Sequence, residues 1–168
     1  MKFNWEEIKP TLEKYFCCIG LLQNKSSILD VFCGRGLGAA LIAPFFEEVC
    51  GVDTNQENVE WSKRHLRNDN LTYSYFSAKD VYKIGVFEGI ILIDSAEKFD
   101  CNETYNRYLW YLYEKCLING GNMIFDYKED NKDQLRGSFL TQYLKEIEDY
   151  SLFCVTKDFN NRLKSVKI

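Results

Sequence analysis

Ile28-Leu-Asp-Val-Phe-Cys-Gly-Arg-Gly-Leu-Gly38 decides how this chain is read. Ile28 to Phe32 is an apolar run broken by one acid, Asp30. A glycine-rich turn follows at Gly34, Gly36 and Gly38, and Ala39 to Ala43 is apolar and helix-compatible again. That order predicts a buried strand, a tight loop and a helix start. Glycine permits φ > 0 and carries no Cβ, so a ligand can lie directly against the backbone. The helix N-terminus behind the loop adds free N–H donors and a partial positive charge. The stretch is built to hold a polar, nucleotide-like ligand.

Working outward, residues 4–22 read as helical in one or two pieces, with Pro10 as the expected break and Asn4 with Glu7 as a capping arrangement. Trp5, Ile8, Leu12, Tyr15, Phe16 and Ile19 form its apolar stripe. Pro44 keeps the helix after the glycine loop short. Val49-Cys-Gly-Val-Asp53 is a second apolar run ending in an acid, and Thr54 or Asn55 caps a helix expected to run to about Asn68. Leu71–Phe76 and Val86–Asp94 are further strands, the latter the most hydrophobic. Residues 102–117 predict a helix ended by Gly120-Gly121, and 122–127 a fifth strand. Asp130–Tyr150 reads as an amphipathic helix, and Ser151–Phe159 with Arg162–Ile168 as a hairpin turning at Asn160-Asn161. Alternating strands and helices followed by a hairpin predict an α/β three-layer sandwich. Its sheet should be seven-stranded and mostly parallel, with the last strand antiparallel.

Ligands in such sheets bind outside the carboxyl ends of the strands. Asp30, Asp53, Asp80 and Asp94 each fall at or near such an end. The glycines alone leave two cofactor classes open. Gly34-x-Gly36-x-x-Ala39 with Asp53 satisfies the dinucleotide fingerprint as well. Asp30, inside a strand that dehydrogenases keep apolar, and the C-terminal hairpin tilt the reading away from a nicotinamide enzyme.

Bulk properties narrow the class. The 168 residues, 46% of them hydrophobic, suffice for one domain spanning 1–168 with a single core. A net charge of -4 gives no strong nucleic-acid signal, although it leaves room for a local basic face. Seven cysteines without a CxxC pair, and one histidine, favour neither a zinc site nor a disulfide framework, so no metal is expected. Unpaired thiols and an N-terminus without an apolar core point to the cytoplasm, and no run is long enough to span a membrane.

Taken in order, the chain resembles a class I S-adenosylmethionine-dependent methyltransferase. The residues that carry the resemblance are Ile28–Gly38, Val49–Asp53, Ala78-Lys-Asp80, Gly89–Asp94 with Ser95-Ala-Glu97, and Leu117–Phe125. S-adenosylmethionine is then the implied cofactor, held by Asp30, Phe32, Cys33, Gly34, Gly36, Asp53, Thr54, Lys79, Asp80, Asp94 and Ser95. Asp53 would accept from the ribose hydroxyls and Asp80 from the adenine amine. Asp30 would steady the loop near the methionine ammonium. Asp94 and Glu97 are the implied bases where the acceptor must lose a proton, although either serves equally as a loop or helix cap.

Lys98 stands where the family often has histidine, and no Asn-Pro-Pro-Tyr or Asp-Pro-Pro-Tyr sequence occurs at 94–97, which argues against methylation of DNA bases. Asp-Val-Phe-Cys-Gly resembles some RNA methyltransferases in wording, but the fourth motif does not follow them. The implied acceptor is a small molecule, with RNA or protein as the alternative. About residues 1–25 should lid its site. So thin a lid also suits a pocket completed by a partner subunit or a second copy, or a cofactor-binding subunit without turnover of its own. Cys33 reads as packing, and Lys157, Arg162, Lys164 and Lys167 as an edge-strand device or a phosphate-facing patch.

Overall fold

The computed structural model describes residues 4–128, 142–147 and 150–157. Helix α1 (Trp5–Leu21) precedes strand β1 (Ser27–Val31), helix α2 (Leu37–Ile42), β2 (Glu48–Asp53), α3 (Gln56–His65), β3 (Leu71–Tyr75), β4 (Phe87–Leu92), α4 (Asn102–Lys115) and β5 (Leu117–Lys128). Strands β6 (Gln142–Ile147) and β7 (Tyr150–Thr156) follow. They make one seven-stranded sheet in the order β3-β2-β1-β4-β5-β7-β6. Strands β1 to β5 pair in parallel, and β7 runs antiparallel between β5 and β6. The strand order reverses between β1 and β4, which places the switch-point crevice at the end of β1.

Alternate residues of each buried strand feed opposite cores. Leu29, Val31, Ile90, Leu92 and Phe125 pack on one face under α4's Tyr105, Leu109 and Leu112. Ile28, Val49, Ile91 and Ile124 pack on the other, under Tyr15, Cys18 and Ile42 of α1 and α2. The result is the expected α/β/α sandwich.

Several local expectations change. Helix α1 is continuous, with Pro10 inside it. Asn4 does not cap it with its side chain but donates from Nδ2 to Glu7 Oε1 at 2.8 Å. Asn55, not Thr54, caps α3 by accepting from the Glu57 and Asn58 N–H groups, and α3 ends at His65. Residues 78–84, between β3 and β4, form a 3-10 helix. Gly120-Gly121 does not stop α4, which ends at Lys115. The pair lies inside β5, where Gly120 takes φ 79° and the register against β4 shifts.

The helix expected over 130–150 is overturned in its second half. Gln142–Ile147 is a strand, because QYLKEI alternates as well as it spirals and finds an antiparallel partner in β7. The hairpin therefore forms one element earlier than expected. Residues 129–141 and the second arm at 162–168, with Arg162, Lys164 and Lys167, lie outside the described residues. Lys157 faces neither an edge nor a phosphate. It is buried, and its Nζ donates to the carbonyls of Tyr113, Glu114 and Leu117, closing the C-terminus of α4.

Candidate active site

The glycine loop leaves β1 through two left-handed residues, Phe32 (φ 61°) and Gly34 (φ 57°), and enters α2 through a third, Gly36 (φ 72°). A Cβ-bearing residue pays for that conformation. At Phe32 the aromatic ring packs on Phe76, Phe99 and Tyr108 at centroid distances of 5.5–5.9 Å. The three glycines do different work. A Cβ at Gly36 would meet the Tyr73 ring at 2.3 Å, and one at Gly38 the Tyr15 ring at 2.1 Å. Tyr73 therefore fills the space that sequence reasoning assigned to a ligand at Gly36, and Tyr15 fills the space at Gly38. Of the three, Gly34 alone faces open space, with no atom of the described residues within 4 Å.

Asp30 is fully buried beneath this loop and accepts from the Tyr15 hydroxyl at 2.8 Å. Its Oδ2 is buried with no partner among the described residues. Burial pushes the carboxyl up to about 7, against the Tyr15 hydrogen bond and helped by the Asp53 charge. Asp53 is 1% exposed at the end of β2. Its Oδ2 accepts from Gly34 N–H at 2.9 Å, and its Oδ1 from Asn55 N–H at 2.8 Å and Asn58 Nδ2 at 3.4 Å. The carboxylate thereby ties the loop to the start of α3. Cys33 is buried, its N–H donates to Val52 O at 3.0 Å, and burial raises its thiol well above the usual range. It is a packing residue.

The fourth strand's acid is held by residues that sequence reasoning did not single out. Lys14 of α1 is buried, with Nζ 2.6 Å from Asp94 Oδ1 and 2.9 Å from Asp126 Oδ2 of β5. Thr11 donates to Asp94 Oδ2. Asp94, at φ 52°, donates its N–H to both Asp126 oxygens. Burial raises Asp126 to about 6, opposed by Lys14. Asp94 is also pushed up by burial, but the Lys14 and Thr11 hydrogen bonds outweigh this and hold it below the usual carboxylate range. A carboxylate so held is a poor proton acceptor.

Ser95 turns inward to Tyr105 Oη at 3.0 Å. Glu97 lines a separate cavity of about 180 Å³ with Cys101 and Tyr127, away from the glycine loop. Thr54 and Lys79 are exposed, and the Lys79 carbonyl accepts from Tyr111 at 3.0 Å. Asp80 pairs with Lys83 at 2.8 Å, which holds its carboxyl down. The structure thus gathers Asp30, Phe32, Cys33, Gly34, Asp53 and Asp94 at the switch point, and leaves Glu97 and Ser95 facing elsewhere.

A cavity of about 260 Å³ lies between α1 and this edge. Ile8, Leu12, Tyr15, Gly34, Ile93 and Asp94 are among its walls. Among the described residues no group of His, Cys, Asp and Glu could hold a metal ion, and no helix is long and apolar enough to cross a membrane.

A family model described as a methyltransferase domain matches residues 29–125. The ubiquinone biosynthesis O-methyltransferase of Rickettsia conorii is 23% identical over 152 residues, covering 86% of this chain and 52% of that protein. The chain thus spans about half the length of that relative. An uncharacterised RNA methyltransferase of Protochlamydia amoebophila is 27% identical over 81 residues, covering 48% of this chain and 19% of that protein. The crystal structure of magnesium protoporphyrin IX methyltransferase from Synechocystis, with bound SAM, superposes with a TM-score of 0.70 at 13% identity, covering 94% of this chain and 86% of that one. At that identity the likeness is one of fold.

Proposed function

The chain belongs to the methyltransferase-domain family, and on that premise we propose that it moves a methyl group from S-adenosylmethionine to a small-molecule acceptor held between α1 and the carboxyl edge of the sheet. One observation carries the reading. An unpartnered, fully buried Asp30 oxygen lies beneath a loop whose Gly34 is open to a ligand. A buried acceptor without a donor is costly unless a ligand completes it. The methionine ammonium is such a donor, so the residues present fit the cofactor.

Asp53 receives the ribose hydroxyls on oxygens that now take the Gly34 and Asn55 N–H groups; each oxygen has two acceptor positions. Asp80 takes the adenine amine in competition with Lys83. The bound cofactor supplies a methyl group already activated by its sulfonium, so the protein's task is placement. Asp94 serves here as a fixed point rather than a base, because Lys14 and Thr11 occupy its oxygens. Glu97 faces another cavity, so proton removal does not fall to it. An acceptor that attacks without first losing a proton is favoured.

A cavity of about 260 Å³ suits the head of a small molecule, as does the printed activity of the Rickettsia relative. RNA is the second reading, favoured by the match to the Protochlamydia protein. Incubation with methyl-labelled cofactor and cell extract, then sorting of label into small-molecule, RNA and protein fractions, separates the readings. Label in the small-molecule fraction is expected. Label in RNA alone would replace that acceptor, and no label in any fraction would point to a cofactor-binding subunit without turnover.

A further inference from the structure

Tyr15 falls on the apolar stripe of α1, where a phenylalanine ring would pack as well. Its hydroxyl is the part with a second use. The ring lies against α2 at Gly38, where a Cβ would meet it at 2.1 Å, so only glycine lets the ring through. Beyond Gly38 the hydroxyl reaches Asp30 Oδ1 at 2.8 Å. Thr11 and Lys14, on the same helix, are tied to Asp94 and Asp126, which fixes how far α1 carries Tyr15 towards the sheet. Tyr73, a second tyrosine beneath the loop, donates to the Gly36 carbonyl at 2.9 Å instead.

The other surroundings of Asp30 favour its protonated form. The residue is fully buried, and its strand neighbours Gly51 and Ile91 carry no charge. Asp53 of β2 adds a like charge. Cys18 of α1, Cys33 of the loop, Cys50 of β2 and Tyr73 of β3 also face it electrostatically, and burial holds each of them neutral. Against these, the Tyr15 hydrogen bond favours the carboxylate. Burial and the Asp30 charge raise the Tyr15 hydroxyl well above its usual range, so it stays a donor. A protonated Asp30 would present an O–H where an ammonium needs an acceptor.

Resting on the function proposed above, we propose that Tyr15 is a positioning residue for the cofactor: by occupying Asp30 Oδ1 it reserves Oδ2 for the methionine ammonium and keeps that oxygen an acceptor. Where Asp30 is protonated beforehand, its proton passes to solvent as the ammonium arrives. Cofactor binding is thereby coupled to pH through one side chain of α1.

Calorimetric titration of S-adenosylhomocysteine from pH 5.5 to pH 8 tests this, beside an analogue whose α-amino group is replaced by hydrogen. For the native chain, Kd of S-adenosylhomocysteine should fall at least tenfold over that range, because Asp30 ionises through about 7. The analogue should show no such tightening, which separates Asp30 from Asp126, whose titration would act on both ligands. Tyr15→Phe keeps the ring at Gly38. At pH 7 it should weaken S-adenosylhomocysteine at least fivefold, leave the analogue unchanged and move the tightening to higher pH. Asp30→Asn should bind the two ligands within about twofold of each other at every pH, since no carboxylate remains to select the ammonium. A native Kd that is flat with pH would overturn the proposal. So would a Tyr15→Phe profile that matches the native one, or an equal loss of both ligands in Tyr15→Phe, which marks packing alone. Absence of S-adenosylhomocysteine binding to the native chain at any pH sinks the cofactor reading itself, and this role of Tyr15 with it.

Discussion

Lys14→Met removes the cation that two carboxylates share at the edge of the sheet. In the native chain the Lys14 ammonium is shared by Asp94 and Asp126, and the Asp126 side chain is 0% exposed. Removing one partner of a buried pair leaves the other charge uncompensated, typically at 3–5 kcal/mol. Two features hold this case to the lower end. Asp126 keeps the Asp94 N–H as a donor, and the Asp94 side chain is 41% exposed. About 3 kcal/mol is expected near pH 8, which for a chain of this size lowers Tm by about 6–12 °C.

The sign with pH follows from Asp126, raised to about 6 by burial against Lys14. In the variant, burial is opposed only by the Asp94 N–H, so Asp126 binds a proton more readily, which caps the loss. As pH falls through about 6 the native Asp126 takes up its proton as well, so the difference between the two proteins shrinks. Urea unfolding of both proteins at pH 8 and pH 5 measures this. Lys14→Met/Asp126→Asn should recover at least half of the loss at pH 8, because the pair is coupled. A loss below about 1 kcal/mol at pH 8, or one equal at both pH values, would refute the stabilising role given to the shared Lys14 ion pair.

Two further outcomes follow from the same edge. Asp30 rises from 3.8 to about 7, so the folded chain holds more protons than the unfolded one across that window and stability falls as pH rises through it. Asp30→Asn should flatten that fall, worth up to about 4 kcal/mol, in thermal scans from pH 4 to 8. The glycines should separate by role. Gly36→Ala drives a Cβ into the Tyr73 ring and should cost about 2–3 kcal/mol of stability. Gly34→Ala meets no atom, costs about 1–2 kcal/mol of backbone strain, and should abolish measurable S-adenosylhomocysteine binding.

The glycine loop, the short α2 before Pro44 and the acid that ends β2 were legible because each is local. Strand and helix periods differ, and a glycine or proline between them marks the change. What escaped reading is non-local. Lys14 on an amphipathic helix reads as a solvated cation until Asp126, 112 residues away, closes on it. Tyr15 and Tyr73 read as generic core, yet they fill the clefts at Gly38 and Gly36. Gly120-Gly121 has the composition of a helix stop, and only pairing with β4 shows a strand irregularity. QYLKEI fits both periods, and its partner strand decides. The inward turn of Ser95 to Tyr105 leaves no local signal at all.

Binding of S-adenosylhomocysteine, measured calorimetrically for the native chain and for Asp53→Ala, tests the central claim most directly. One site per chain is expected, weakened at least tenfold in Asp53→Ala, because the ribose loses its acceptor oxygens at the end of β2. No binding to the native chain, or equal binding to both, would contradict the assignment of this edge to S-adenosylmethionine.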